Sequence, residues 1–140
     1  MLYLLDTHIC QMAIAHHPSF LAHLANLDLE TDTVATTIIS FDEAVSGWLP
    51  LCHNGKQLEK RAWAYTQLKD IFTYYCRQTV FPFTAEAARE LVKLRALFPR
   101  TGLADLSIAA IALTLNATVV MQNTVDFARI PNLLLEDWSR

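Results

Sequence analysis

Apolar positions in this chain come in blocks whose spacing changes from one block to the next. Leu2-Tyr3-Leu4-Leu5 is an unbroken apolar run closed by Asp6-Thr7. A short run without polar alternation predicts a strand covered on both faces, as in a parallel sheet. Ile9 to Ala15 then predicts the start of a helix, stopped near Pro18. Val34–Ile39 (VATTII) is rich in β-branched residues and predicts a second strand. Ser40 follows, and Phe41-Asp42-Glu43-Ala44 opens a helix. From Gln57 to Arg77 the apolar positions Leu58, Ala62, Tyr65, Leu68, Phe72 and Tyr75 recur at helical spacing. Thr79–Phe83 predicts a short strand. Ala85–Phe98 predicts a helix with Ala88, Leu91, Leu94 and Ala96 or Leu97 facing inward, broken by Pro99 and Gly102. Asp105–Leu115 is expected to be helical, Ala117–Met121 (ATVVM) a buried strand, and Leu133–Leu135 a last strand before Trp138.

Buried strands alternating with helices throughout predict an α/β fold: a central, mainly parallel sheet with helices on both faces. In such sheets functional sites form beyond the carboxyl ends of the strands. Asp6, the Ser40–Glu43 turn and Asn123 each fall just past a predicted strand, which is the first reason to expect one site.

Composition narrows the picture. A length of 140 residues, 53% of them hydrophobic and 18% charged, suits one core-rich domain spanning residues 1–140. The most apolar stretch, Ile108–Met121, carries Thr114, Asn116 and Thr118. No run therefore reaches the roughly 18 uninterrupted apolar residues of a membrane span. The N-terminus has no basic stretch leading into a long apolar run, so no secretory leader is expected. Cys10, Cys52 and Cys76 are an odd number with no Cys-x-x-Cys pair, which argues against a disulfide framework or a zinc site and for a cytoplasmic location. The formal net charge is −3, unfavourable for a nucleic-acid partner. Its distribution is uneven: residues 56–100 hold nine basic side chains against four acidic ones, a net +5.

Asp6 stands where the first strand should end. It can cap the following helix, hold a metal, or do both. Glu43 lies three residues after Ser40, a capping-box spacing, and also points toward the crevice that Asp6 faces. Asp42 faces another side of the same helix. Asp105 begins a helix that is otherwise apolar or small, so its charge sits at the mouth of the core and needs a cap, a cation or the helix dipole. Asn123 and Asp126 follow the Thr118–Met121 run, where turn chemistry also favours them. Hard oxygen ligands of this kind suit magnesium or manganese. Metal held by carboxylates can activate water and stabilise a departing oxygen in phosphodiester hydrolysis without histidine or serine.

Four segments then carry a resemblance: Tyr3-Leu-Leu-Asp6-Thr7, Thr37-Ile-Ile-Ser40-Phe-Asp-Glu43, Gly102-Leu-Ala-Asp105-Leu-Ser-Ile-Ala-Ala110 and Val120-Met-Gln-Asn123-Thr-Val-Asp-Phe127. In this order and spacing, across nearly the whole chain, they resemble the PIN-domain nucleases, and most closely the VapC-type toxins of toxin–antitoxin pairs. The resemblance implies a PIN-like three-layer sandwich and a Mg2+- or Mn2+-dependent endoribonuclease, usually a homodimer, silenced by a cognate antitoxin. It places Asp6, Glu43 and Asp105 at the family's acidic, metal-holding positions, Asn123 at the fourth catalytic position and Thr7 beside the metal. Two departures stand out. Met121 occupies a position that is usually Thr or Ser, and Phe-Asp-Glu-Ala-Val replaces a more usual Glu-Leu context.

Other residues have two readings. His8 could serve catalysis or simply lie on the substrate side; His16, His17, His23 and His53 show no ligand spacing with an acid. Trp48, Trp63, Tyr65, Tyr74 and Tyr75 could stack on unpaired bases or pack in a core or dimer. Lys56, Lys60, Arg61, Lys69 and Arg100 are candidate phosphate contacts or a solvated face. The functional alternatives are a catalytically weakened PIN domain that binds RNA or protein without cutting, and a magnesium enzyme acting on a phosphorylated small molecule. The latter is disfavoured because Asp6-Thr7-His8 is not Asp-x-Asp and no Walker-type glycine loop is present.

Overall fold

The computed structural model describes all of residues 1–140. The chain runs β1 (Leu2–Leu5), α1 (Thr7–Ile14), α2 (Pro18–Ala25), β2 (Thr33–Thr37), α3 (Ile38–Ser46), α4 (Leu49–Cys52), α5 (Leu58–Cys76), β3 (Val80–Phe81), α6 (Ala85–Leu97), α7 (Leu103–Leu115), β4 (Thr118–Val120), α8 (Thr124–Phe127) and β5 (Leu134–Glu136). The five strands form one sheet in the order β3-β2-β1-β4-β5. Every pairing is parallel, including Leu4 with Ala35 and with Val119.

The period-two geometry of strands splits the core into two halves. Leu4, Ala35 and Val119 face one side and join α6, α7, Phe127 and Ile130. Tyr3, Leu5 and Val120 face the other and pack with α1, Phe20, Ala44, Ile71, Tyr75 and Trp138. Helices therefore cover both faces of the sheet, the three-layer arrangement expected of an α/β chain. No helix is long and apolar enough to cross a membrane.

The chain builds outward from β1 in one direction through β2 and β3, then returns to β1's other side with β4 and β5. The strand order thus reverses at β1/β4, where an open α/β sheet leaves a crevice beyond its carboxyl ends.

Several boundaries differ from the sequence expectation. Pro18 does not merely stop a helix. It opens α2 at its first turn, where the missing N–H costs nothing, and the His17 ring accepts the Ser19 N–H as cap. The short α4 was also missed. On α6 Leu91 and Leu94 face the core as expected, joined by the buried Ala87; Ala96 and Leu97 are exposed, and Phe98, just past the helix, packs inward in their place. The second strand ends at Thr37 rather than Ile39. Thr37 Oγ1 accepts the Ser40 N–H at 3.3 Å and caps α3, so Ser40 is inside the helix and the expected Ser40–Glu43 capping box does not form.

Candidate active site

Asp6 follows β1 directly, with its backbone N–H donating to the Val120 carbonyl of β4 at 3.0 Å. Its Oδ1 accepts the Ile9 N–H at 2.9 Å, so the residue does cap α1. This leaves Oδ2 with no hydrogen-bond partner in the protein. Asp105 sits in the first turn of α7, half-buried, behind an N-cap (Gly102) that supplies no side chain. Asp6 and Asp105 line one small cavity of about 10 Å³ whose other walls are Ile108, Ala109, Val119, Met121, Phe127 and Leu133.

Glu43 reaches the same region from α3 and is exposed. Freed of the capping role, its Oε1 accepts the Thr7 hydroxyl at 2.6 Å, which joins α3 to the first turn of α1. Thr7 thus positions a carboxylate.

The electrostatics report the clustering. Burial pushes the Asp6 carboxyl up to about 6; the Ile9 N–H opposes the rise, and the charges of Asp105, Glu43 and Asp137 add to it. Asp105 is raised by burial and by Glu43. No basic side chain pairs with any of these three acids, since the ion pairs join Met1 to Asp32, Lys93 to Glu90 and Arg140 to Asp137. No three His, Cys, Asp or Glu side chains meet at one coordination point in this arrangement. What the residues offer is a hard-oxygen set of like charges with no counter-charge, which is the donor chemistry a divalent cation fits.

Asn123 lies past β4 at the same sheet edge, but its Nδ2 donates to Asp126 Oδ2 at 2.7 Å, and both residues are exposed. No hydrogen bond links them to Asp6. His8 is exposed on the first turn of α1. Asp137 was missed by the sequence reading, although it follows β5 as Asp6 follows β1. The Ser139 hydroxyl and N–H and Arg140 hold its carboxyl below the usual range. Away from the carboxylates, Arg61 lies over Tyr65 and Lys69 over Phe72, while Trp48 meets Trp63 edge-on. Tyr75 is core.

Comparison with known proteins gives a consistent set of matches. Residues 3–133 match the PIN domain family. The chain is 34% identical over 146 aligned positions to Ribonuclease VapC2 of Rickettsia felis, covering 100% of both chains. It is 26% identical over 141 positions to Ribonuclease VapC1 of Haemophilus influenzae, again covering 100% of both. Among solved structures it is similar to VapBC2 from Rickettsia felis bound to a DNA fragment from their promoter (TM-score 0.76, 31% identity, 99% of each chain). It is also similar to DNA-bound VapBC from Salmonella typhimurium (TM-score 0.75, 25% identity, 99% of each chain).

Proposed function

This chain belongs to the PIN-domain family, and from that premise we propose that it is a VapC-type endoribonuclease, the toxin of a toxin–antitoxin pair. The observation that carries the reading is the trio Asp6, Glu43 and Asp105 at the carboxyl edge of a parallel sheet, at its switch point, with no basic partner. Relatives named Ribonuclease VapC, matched over their full length, support it.

In this proposal Asp6, Asp105 and Glu43 hold Mg2+ or Mn2+. When bound, the cation supplies a water activated near neutral pH and offsets charge on the departing oxygen. Asp6 offers its free Oδ2 while its Oδ1 stays committed to the α1 cap. Thr7 keeps the exposed Glu43 turned toward Asp6. Asn123 is assigned to the substrate side, released from Asp126 to hold a water or phosphate oxygen. The proposed partners are RNA, a cognate antitoxin and a second copy of the chain, in the cytoplasm. An exposed groove of about 410 Å³, lined by Phe41, Val45, Tyr65, Leu68, Lys69 and Phe72, offers a protein partner an apolar seat.

The test is incubation of the purified protein with total bacterial RNA in Mg2+, Mn2+ or chelator, with Asp6→Asn and Asp105→Asn alongside. Discrete fragments that need metal and vanish in both variants are expected. Folded, metal-bound protein that retains RNA without cutting it would move the assignment to a binding module. Equal cleavage by the variants would remove the carboxylate site altogether.

A further inference from the structure

Beneath the carboxylates lies a set of buried polar side chains that the proposed reaction does not use. Thr36 Oγ1, at the end of β2, donates to the Leu5 carbonyl at 2.9 Å. Cys10 Sγ on α1 donates to that same Thr36 oxygen at 3.3 Å and lies 3.9 Å from the Leu5 carbonyl. Ser40 Oγ, in the first turn of α3, approaches the Leu5 carbonyl at 3.5 Å. Thr36 and Ser40 are 0% exposed and Cys10 is 1% exposed. Leu5 is the residue before Asp6, and its carbonyl belongs to the peptide unit that carries the Asp6 nitrogen.

Burying hydroxyls in a sheet is costly unless they are bonded, and an apolar side chain of the same shape would fill the space as well. The polar choice therefore calls for a role beyond packing. The bonds converge on one atom, and they join the three elements that set the site. These are β1, which ends at Asp6, α1, which Asp6 caps, and β2, which runs straight into the helix bearing Glu43. An exposed tie, Thr7 to Glu43, spans the same gap on the outside. The inner tie is the stiffer of the two, because its atoms are close-packed and screened from water.

We propose that Thr36, supported by Ser40 and Cys10, is a positioning residue that fixes Asp6 relative to Glu43 by gripping the Leu5 carbonyl. The inference rests on the carboxylate site proposed above and adds the groups that preorganise it. Partners that orient metal-holding side chains typically contribute about 10- to 100-fold in metal affinity.

The test uses full-length Thr36→Val, Thr36→Ser and Ser40→Ala with two readouts: Mn2+ affinity by calorimetry and exchange of the Ile9 amide, whose N–H bonds Asp6 Oδ1. Thr36→Val is expected to weaken Mn2+ binding by about tenfold or more and to speed Ile9 exchange beyond any change in global stability. Thr36→Ser, which restores the hydroxyl, should recover both, and Ser40→Ala should fall between. Thr36→Val with wild-type affinity and wild-type Ile9 exchange overturns the proposal. So does Thr36→Ser behaving like Thr36→Val, since packing rather than the hydroxyl would then be responsible. If Thr36→Val does not fold, unchanged affinity and exchange in Ser40→Ala count against it. If the wild-type protein takes up no Mn2+, the metal reading fails on its own, and Ile9 exchange alone decides whether Thr36 positions Asp6.

Discussion

Asp6 performs two tasks that ask opposite things of one carboxyl. As the cap of α1 it needs only an acceptor oxygen, which asparagine supplies about as well. As a member of a like-charged cluster it needs its charge, which burial penalises. In the metal-free protein its acid form is favoured by folding, because its pKa rises from 3.8 to about 6. Stability from this group is therefore full below about pH 4, declines as pH rises toward 6, and stays low above. The rise corresponds to roughly 3 kcal/mol, as an upper value. Asp6→Asn is thus expected to be more stable than wild type at pH 7.5 in chelator, with a flatter profile between pH 4 and 6, as read by urea titration. Added Mn2+ should reverse the order, because only wild type gains binding energy. A variant no more stable than wild type in chelator would mean that the charge is compensated within the protein. At this scale the sequence was readable where chemistry follows from position: Asp6 and Asp105, each singled out because it sits where an element starts, line one cavity. Glu43 was ambiguous because Ser40-x-x-Glu43 fits a capping box as well as a site. The structure removes the capping box by making Thr37 the cap of α3, and Glu43 instead accepts the Thr7 hydroxyl. Asp137 carried a weaker form of the Asp6 signal, since it lies just past the expected last strand, but no helix follows it to mark the position.

At the scale of elements, the strands and the long helices were recoverable and the short helices α2 and α4 were not. The α5 helix came from its helical spacing and β2 from its β-branched run. The α2 and α4 helices did not: Pro18 read as a breaker although it lies in the first turn of α2, and the four residues of α4 are too few to show a period. On α6 Leu91 and Leu94 were placed correctly, but the ends of the inward face were not, because apolar side chains surround much of that helix and only tertiary packing decides which are covered. The end of α7 depends on one backbone conformation. Asn116 has φ 50° and ψ 40°, the left-handed region that glycine and asparagine tolerate. Asn116→Gly is therefore expected to leave stability unchanged or slightly raised. Asn116→Ala should lose about 1 kcal/mol. Equal urea midpoints for the two would mean the left-handed turn is not retained.

At the scale of the whole molecule, the two ends of the chain are packed together. Trp138 is 1% exposed and lies against Tyr3 of the central strand, Phe20 and the stacked ring of His23. The Ser19 hydroxyl and His23 hold the tail carbonyls of Trp138 and Arg140. Trp138→Ala should cost about 3–5 kcal/mol in a denaturant melt. A loss under about 1 kcal/mol would show the tail to be peripheral. The sequence placed Trp138 only near the end, because a single aromatic has no period to read. The strand order has one more effect, on timing. A growing chain emerges from the ribosome with Asp6 and Glu43 early, but β1 stays open on one side until Thr118–Val120 arrive, and Asp105 joins only shortly before that strand. Synthesis thus delivers the third carboxylate well after the other two, so the proposed site stays unassembled on a nascent chain until β4 has followed it.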